Sequence, residues 1–429
     1  MHILMMTNSF TPLVGGVARS VEAFAREYRN RGHRVMVVAP AFGAAPPNER
    51  DVIRIPAFQR FNGSDFSLAL PAPGFLTSAI EEFAPQIVHS HHPFLIGATA
   101  LRVAHKYELP LVFTHHTMYE QYTHYVPGNS QVLKRFVVEL STSYANLCDR
   151  VFAPSQSIAS MLQARGVAVP VAVVPTGVEL ARFARGGGGA ARVALGIPGD
   201  AFVVGHVGRL APEKNLRFLA RAVAAFLRTD PRARFLVVGS GPMGREIREI
   251  FRHADLVGRL HMTGTLEGTP LVDAYFAMDV FAFASKTETQ GMVLTEAMAA
   301  RVPVVALDAP GVREVVSDHR NGRLLERDSV RDFAAALRWS AALDVQGARH
   351  LRRGARETAQ AFSLDRSADK ALALYGDLRA QAFVDRRQAY DRWTAVRRLI
   401  GAEWNILKGI TRAAGAALSA GPSEPGEGP

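Results

Sequence analysis

The stretch Ser285-Lys-Thr-Glu-Thr-Gln-Gly-Met-Val-Leu-Thr-Glu-Ala-Met-Ala299 joins the apolar run Val280 to Ala284 to a strong helix-forming segment through a short polar turn. An apolar strand pattern that passes directly into a helix is the repeating unit of an α/β fold with a parallel sheet. With the helix starting near Gly291, Glu288 lies on the turn and Glu296 about a turn and a half into the helix, with seven residues between them. The two carboxylates then sit in different environments, which suits two roles better than one shared role. Glu in a turn and Glu in a helix are also commonly solvated, and the spacing alone does not choose between those readings. The amides around Gln290, Gly291 and Met292 face outward from the helix N-terminus, where oriented N–H groups and the helix dipole favour an anion such as a phosphate.

The same rhythm extends in both directions. Before residue 178, short β-branched runs at Ile3–Met6, Val35–Val38, Ile87–Ser90, Leu111–Thr114, Val151–Ala153 and Val171–Val174 alternate with helical lengths. A second series follows at Phe202–His206, Phe235–Val238, Leu260–Met262, Val280–Ala284 and Val304–Leu307. Two α/β domains are expected, because 429 residues exceed the usual size of one core and 48% hydrophobic residues supply apolar surface for two. The boundaries read as residues 1–180 and 181–362, then a helix over 363–384 and an extension over 385–429. The run Gly186-Gly-Gly-Gly189 reads as a flexible boundary segment outside any regular element.

Composition narrows the partners. The net charge of +11 favours anions: nucleotide phosphates, nucleic acid or an acidic membrane surface. Nucleic acid is disfavoured, since no recognisable domain interleaves aromatic and basic residues. The single cysteine, Cys148, excludes an intramolecular disulfide, suits a reducing compartment and reads as a small core residue. The N-terminal Met1-His-Ile-Leu-Met-Met reads as a first strand rather than a secretion signal, no window has 18 uncharged apolar residues, and cytoplasmic residence is expected.

Several motifs carry possible chemistry. Gly15-Gly16 stands between the first strand and the helix from about Val17, where a backbone can approach a ligand closely, but the third spaced glycine of a dinucleotide fingerprint is missing. Histidines gather at two strand ends, His89-Ser-His91-His92 and His115-His116. They lack acidic or cysteine partners at metal-ligand spacing, so hydrogen-bonded wall residues are the stronger reading than zinc. The loop Met118-Tyr119-Glu-Gln-Tyr122-Thr-His124-Tyr125-Val-Pro127 alternates aromatic and polar residues, unlike a core strand. Arg209 and Lys214 stand on one turn, Gly208-Arg-Leu-Ala-Pro-Glu-Lys-Asn215, and the chain has no Asp-x-Asp to hold a metal.

Together, the basic turn and the spaced glutamates resemble the retaining glycosyltransferases of family 4, over roughly residues 1 to 380. The resemblance implies the GT-B architecture, two Rossmann-like domains facing across a cleft, with the last helix returning to the first domain. It implies a nucleotide-sugar donor, with Gly15-Gly16 and the amides of Gln290, Gly291 and Met292 near the diphosphate. Arg209 and Lys214 are then implied as clamps on the leaving group, Glu288 as the partner of sugar hydroxyls, Glu296 of the ribose, and His116 of the sugar, with no metal or other cofactor. The wording Thr114-His-His-Thr-x-Tyr119-Glu-x-Tyr122-x-His124-Tyr125 is similar to the branch that glycosylates diacylglycerol. That likeness makes Tyr119, Tyr122, His124 and Tyr125 acceptor-side candidates and implies glucose transfer from UDP-glucose to a lipid at the cytosolic membrane face. A family member using phosphatidylinositol, a sugar phosphate or a soluble acceptor, and a non-catalytic nucleotide-sugar or polyanion binder, are the alternatives.

The extension lies beyond this resemblance. In Arg386 to Leu418, Trp393, Val396, Ile400, Trp404, Leu407 and Ile410 recur at three and four, with seven Arg or Lys against Asp391 and Glu403. That pattern fits an interfacial helix on anionic lipid, or else a helix packed on protein. The last residues, Gly421 to Pro429, are too polar and kinked to pack.

Overall fold

The computed structural model describes residues 1–13, 15–41, 49–58, 68–69, 73–121 and 131–388. The chain divides into two compact units: Met1–Val174 together with the chain from Ala368, and Pro175–Ser367. Both are Rossmann-like.

In the first unit seven parallel strands lie in the order Val52–Ile55, Arg34–Pro40, His2–Met6, Ile87–Ser90, Leu111–Thr114, Arg150–Ala153 and Val171–Val173. The central strands Ile87–Ser90 and Leu111–Thr114 are buried along their length, as a sheet covered on both faces requires. The helix Gly16–Asn30 packs through Ala18, Val21, Phe24, Ala25 and Tyr28, a spacing of three and four. Residues from Ala368 of the long helix Leu364–Gln388 belong to this unit. There Tyr375 is fully buried, stacks on Phe152 and bonds His89 at 2.5 Å.

In the second unit six parallel strands lie in the order Leu260–Gly264, Arg234–Val238, Val203–Val207, Val280–Phe283, Val304–Leu307 and Gly322–Leu325. Side chains alternate between two cores: Val203, Val207, Phe281 and Phe283 enter one face, and Val204, Val280 and Ala282 the other.

Three readings are corrected. Val52–Ile55 and Gly322–Leu325 are strands that the sequence reading passed over; both are edge strands of four residues, only partly buried, so they lack the apolar run of the inner strands. The glycine run is not a loose segment, because Gly188–Ala194 forms a helix. Its glycines are there for closeness: a Cβ on Gly186 would meet the Phe276 ring at 2.0 Å, one on Gly188 would meet the Phe276 carbonyl oxygen at 2.2 Å, and the Gly187 amide donates to Asp273 at 2.5 Å.

Candidate functional site

An open parallel sheet offers its ligand crevice outside the strand C-termini, where strand order reverses. In the second unit the reversal falls between Val203–Val207 and Val280–Phe283, whose following turns carry the basic motif and the two glutamates. The sheet therefore brings together residues 74 positions apart: Lys214 Nζ makes a short ion pair with Glu288 Oε1, both side chains being largely buried. Arg209, more exposed, pairs with Glu213 four residues along, so the two cations end on different carboxylates. The hydroxyls of Ser285 and Thr287 both donate to the Glu213 carbonyl at 3.5 Å, tying the two turns together.

Glycines let these loops approach. Gly208, Gly239 and Gly241 have φ of 155°, 135° and 153°. A Cβ on Gly239 would lie 1.9 Å from the Gly208 carbonyl oxygen, and one on Gly241 would lie 2.4 Å from that of Leu210. Gly291, with φ of 73°, turns the chain into the helix Met292–Ala299. Among the described residues the amides of Gln290, Gly291 and Met292 have no bonded acceptor, as expected for a helix start that faces solvent or a ligand. The Gln290 side chain instead points inward, accepting from the Thr176 amide at 2.6 Å and donating to the Thr176 carbonyl. Glu296 is buried, with 9% of its surface exposed, and accepts from the Tyr275 hydroxyl at 2.7 Å. The two glutamates thus do occupy different surroundings, one on a cation and one on a phenol.

In the first unit Gly15 is extended, with φ of −170°, and nothing lies within 4 Å of where a Cβ would stand on Gly15 or Gly16. Their loop is open at the end of His2–Met6. The histidines form one connected cluster. His91 Nδ1 lies 2.9 Å from His116 Nε2, His89 Nε2 lies 2.6 Å from the Thr114 hydroxyl, and His92 Nδ1 accepts from the Asn8 amide at 3.1 Å. His115 packs edge-on against Phe113 and Tyr119, and neither of its nitrogens has a partner among the described residues. Burial holds His89 and His115 down at about 3 and His92 at about 4. His91 and His116 are pushed well below the ordinary value, by burial first and then by neighbouring imidazoles. Burial therefore favours the neutral form of all five rings at neutral pH. No group of three or more His, Cys, Asp or Glu is placed to hold a metal ion among the described residues.

Tyr119 is half-buried, edge-on to Phe94, while Tyr122, His124 and Tyr125 lie outside the described residues, as does the extension beyond Gln388. No described helix is long and apolar enough to cross a membrane.

Three residues near the second unit's crevice escaped the sequence reading. His206, in the strand before the basic turn, is buried and held down at about 4 by burial, with Lys214 and Glu288 as opposing charges. Gly311, at φ of 77°, brings its loop so close that a Cβ would sit 2.7 Å from the Gln290 amide. Tyr275 is a core tyrosine whose hydroxyl reaches Glu296. Only the Asp308-Ala-Pro-Gly311 turn had a local signal, a proline and a glycine after a strand.

The description "Glycosyltransferase Family 4" matches residues 14–182, and "Glycosyl transferases group 1" matches residues 201–342. The chain is 28% identical over 343 residues to the alpha-monoglucosyldiacylglycerol synthase of Streptococcus pneumoniae, covering 79% of this chain and 77% of that protein. It is 34% identical over 305 residues to the D-inositol 3-phosphate glycosyltransferase of Saccharomonospora viridis, covering 68% of this chain and 70% of that one. In fold it is similar to Anabaena HepE, solved in complex with UDP-glucose, with a TM-score of 0.69, 21% identity, and coverage of 88% of this chain and 100% of that structure. The chain has the GT-B fold and belongs to glycosyltransferase family 4.

Proposed function

We propose that this glycosyltransferase moves glucose, with retention, from UDP-glucose to the hydroxyl of diacylglycerol at the cytosolic face of a membrane. The observation that carries the reading is the pairing of Lys214 with Glu288 at the strand-order reversal of the second unit. A sugar diphosphate needs both partners there, a carboxylate for its hydroxyls and a cation for its negative charge. The glucosyl and diacylglycerol in the S. pneumoniae relative's name, and the UDP-glucose in the HepE complex, support the donor and acceptor.

On this reading Lys214 gives up its contact with Glu288 for the departing phosphate, and Glu288 turns to the sugar hydroxyls. Arg209 adds positive charge at the same turn. The bond from the anomeric carbon to the phosphate oxygen breaks with its electron pair going to the diphosphate. The acceptor oxygen forms the new bond from the same face, and its proton passes to a departing phosphate oxygen, so no protein nucleophile is needed. Charge that develops on the diphosphate is met by fixed cations and by the amides of Gln290, Gly291 and Met292, which cost no reorganisation at the moment of reaction. Glu296 holds the ribose hydroxyls. In the first unit Gly15-Gly16 and His116 carry the diphosphate and sugar roles implied by the resemblance, and no metal takes part.

The inositol phosphate in the name of the 34% identical relative favours a second reading, transfer to a phosphorylated polyol. A mass-spectrometric screen of nucleotide sugars against diacylglycerol, phosphatidylinositol and inositol phosphate separates them. Glucosyl-diacylglycerol formed from UDP-glucose is the expected product. Product on inositol phosphate alone selects the second reading, and donor binding without hydrolysis or transfer leaves a binding protein.

A further inference from the structure

The second unit has a second concavity, of about 770 Å³, lined by Arg192, Arg301, Arg349, Arg352, Arg353 and Arg356. It lies at the opposite end of the sheet from the glutamate turns. Its lining residues Met278 and Asp279 immediately precede the strand Val280–Phe283, and Arg301 and Val302 precede Val304–Leu307, whereas the glutamate turn follows Val280–Phe283.

One carboxylate faces these six arginines. Asp279 takes Arg192 at 2.8 Å and Arg352 at 3.7 Å. Arg192 is further pinned to the carbonyls of Ala277, Gly199 and Ala201, so this pair is structural. Arg353 meets the His350 ring at 3.3 Å, and among the described residues Arg301, Arg349, Arg353 and Arg356 have no carboxylate partner. Arg349, Arg352, Arg353 and Arg356 recur at three and four along the helix Val345–Ala361, which turns them to one side. Arg301 holds φ of 62°, a conformation easier for glycine, yet the position carries a guanidinium. Like charges gathered in a hollow repel unless an anion joins them, and the planar guanidinium fork matches phosphate oxygens in pairs.

We propose that this hollow is a binding site for a soluble metabolite carrying two or more clustered phosphates, separate from the donor site. The volume is that of a small-molecule pocket. Phe276, Met278 and Val302 add apolar lining for the ligand's carbon body. A concavity of this volume can take a small ligand against its lining, whereas a planar bilayer meets only its exposed arginines.

The test is calorimetric titration of tripolyphosphate into the full chain and into a variant carrying Arg349→Gln, Arg353→Gln and Arg356→Gln. These side chains are exposed, and glutamine keeps helix propensity. The expected result is saturable binding by the parent, at least about tenfold weaker in the variant, with UDP affinity changed by less than about twofold. Hydrogen exchange on the parent gives a readout independent of the variant: tripolyphosphate should protect Val345–Ala361 and Gly188–Ala194. Equal binding by the two proteins, or no protection of those helices, overturns the proposal. So does loss in the variant of binding to phosphatidylglycerol vesicles with tripolyphosphate binding untouched, which would make the face a membrane contact.

Discussion

The hydroxyl of Tyr275 donates to Glu296 Oε2 at 2.7 Å, and the tyrosine is fully buried. Tyr275→Phe removes this donor from a buried carboxylate, at a cost of about 1–3 kcal/mol. The expected outcome is a lower melting temperature and a raised KM for the donor with kcat little changed. Glu296→Gln still accepts from Tyr275, so it should melt close to the parent while UDP binding weakens. Thermal unfolding and UDP titration of both variants check this, and identical UDP affinity in all three proteins would remove Glu296 from the donor site.

Glu288→Gln should lose turnover by about 100-fold or more while donor KM moves little. The carboxylate on Lys214 is proposed to act on the sugar while charge develops. Steady-state kinetics decide it, and a loss confined to KM would make Glu288 a uniform binder.

Activity should survive exhaustive chelation, because the proposed clamp on the diphosphate is Lys214 with Arg209 rather than a metal. Lys214→Ala should abolish most turnover. Assays with and without a chelator test the pair of expectations, and a strict requirement for Mg²⁺ or Mn²⁺ contradicts the cationic clamp.

The first unit should lose stability as pH falls below about 6.5. Burial holds His89 and His115 at about 3 and His92 at about 4 in the folded state, while the unfolded chain takes up protons from near the ordinary value of 6.5. Stability from keeping these rings neutral is complete above about 6.5 and falls toward about 3, by up to about 1.4 kcal/mol per pH unit for each ring. His91 and His116 face the same cluster and shift in the same direction. His115→Phe removes a ring with two unpartnered nitrogens and should move the acid-unfolding midpoint to lower pH, measured by circular dichroism.

Truncation after Gln388 should weaken co-sedimentation with anionic vesicles and spare UDP affinity. The segment beyond it combines Trp393 and Trp404 with an excess of basic residues, and its attraction to an anionic surface should fade with salt. Equal sedimentation of the two forms at low salt would make it a packing helix.

The sequence by itself determined the α/β class, the two domains, the inner strands and the family, because each of these rests on local pattern. The inner strands are continuous apolar runs, and the motifs at Gly208–Asn215 and Glu288–Glu296 lie on short stretches. The edge strands Val52–Ile55 and Gly322–Leu325 were not legible, since one-sided pairing asks for no apolar run. Only the tertiary structure decided who meets whom. Lys214 reaches Glu288 rather than joining Arg209 because parallel strands adjacent in space, though far apart in sequence, end side by side. Tyr275 finds Glu296, and Arg301 lines one hollow with the arginines of Val345–Ala361, for the same reason: a juxtaposition made through the sheet and its packed helices leaves no trace in local spacing.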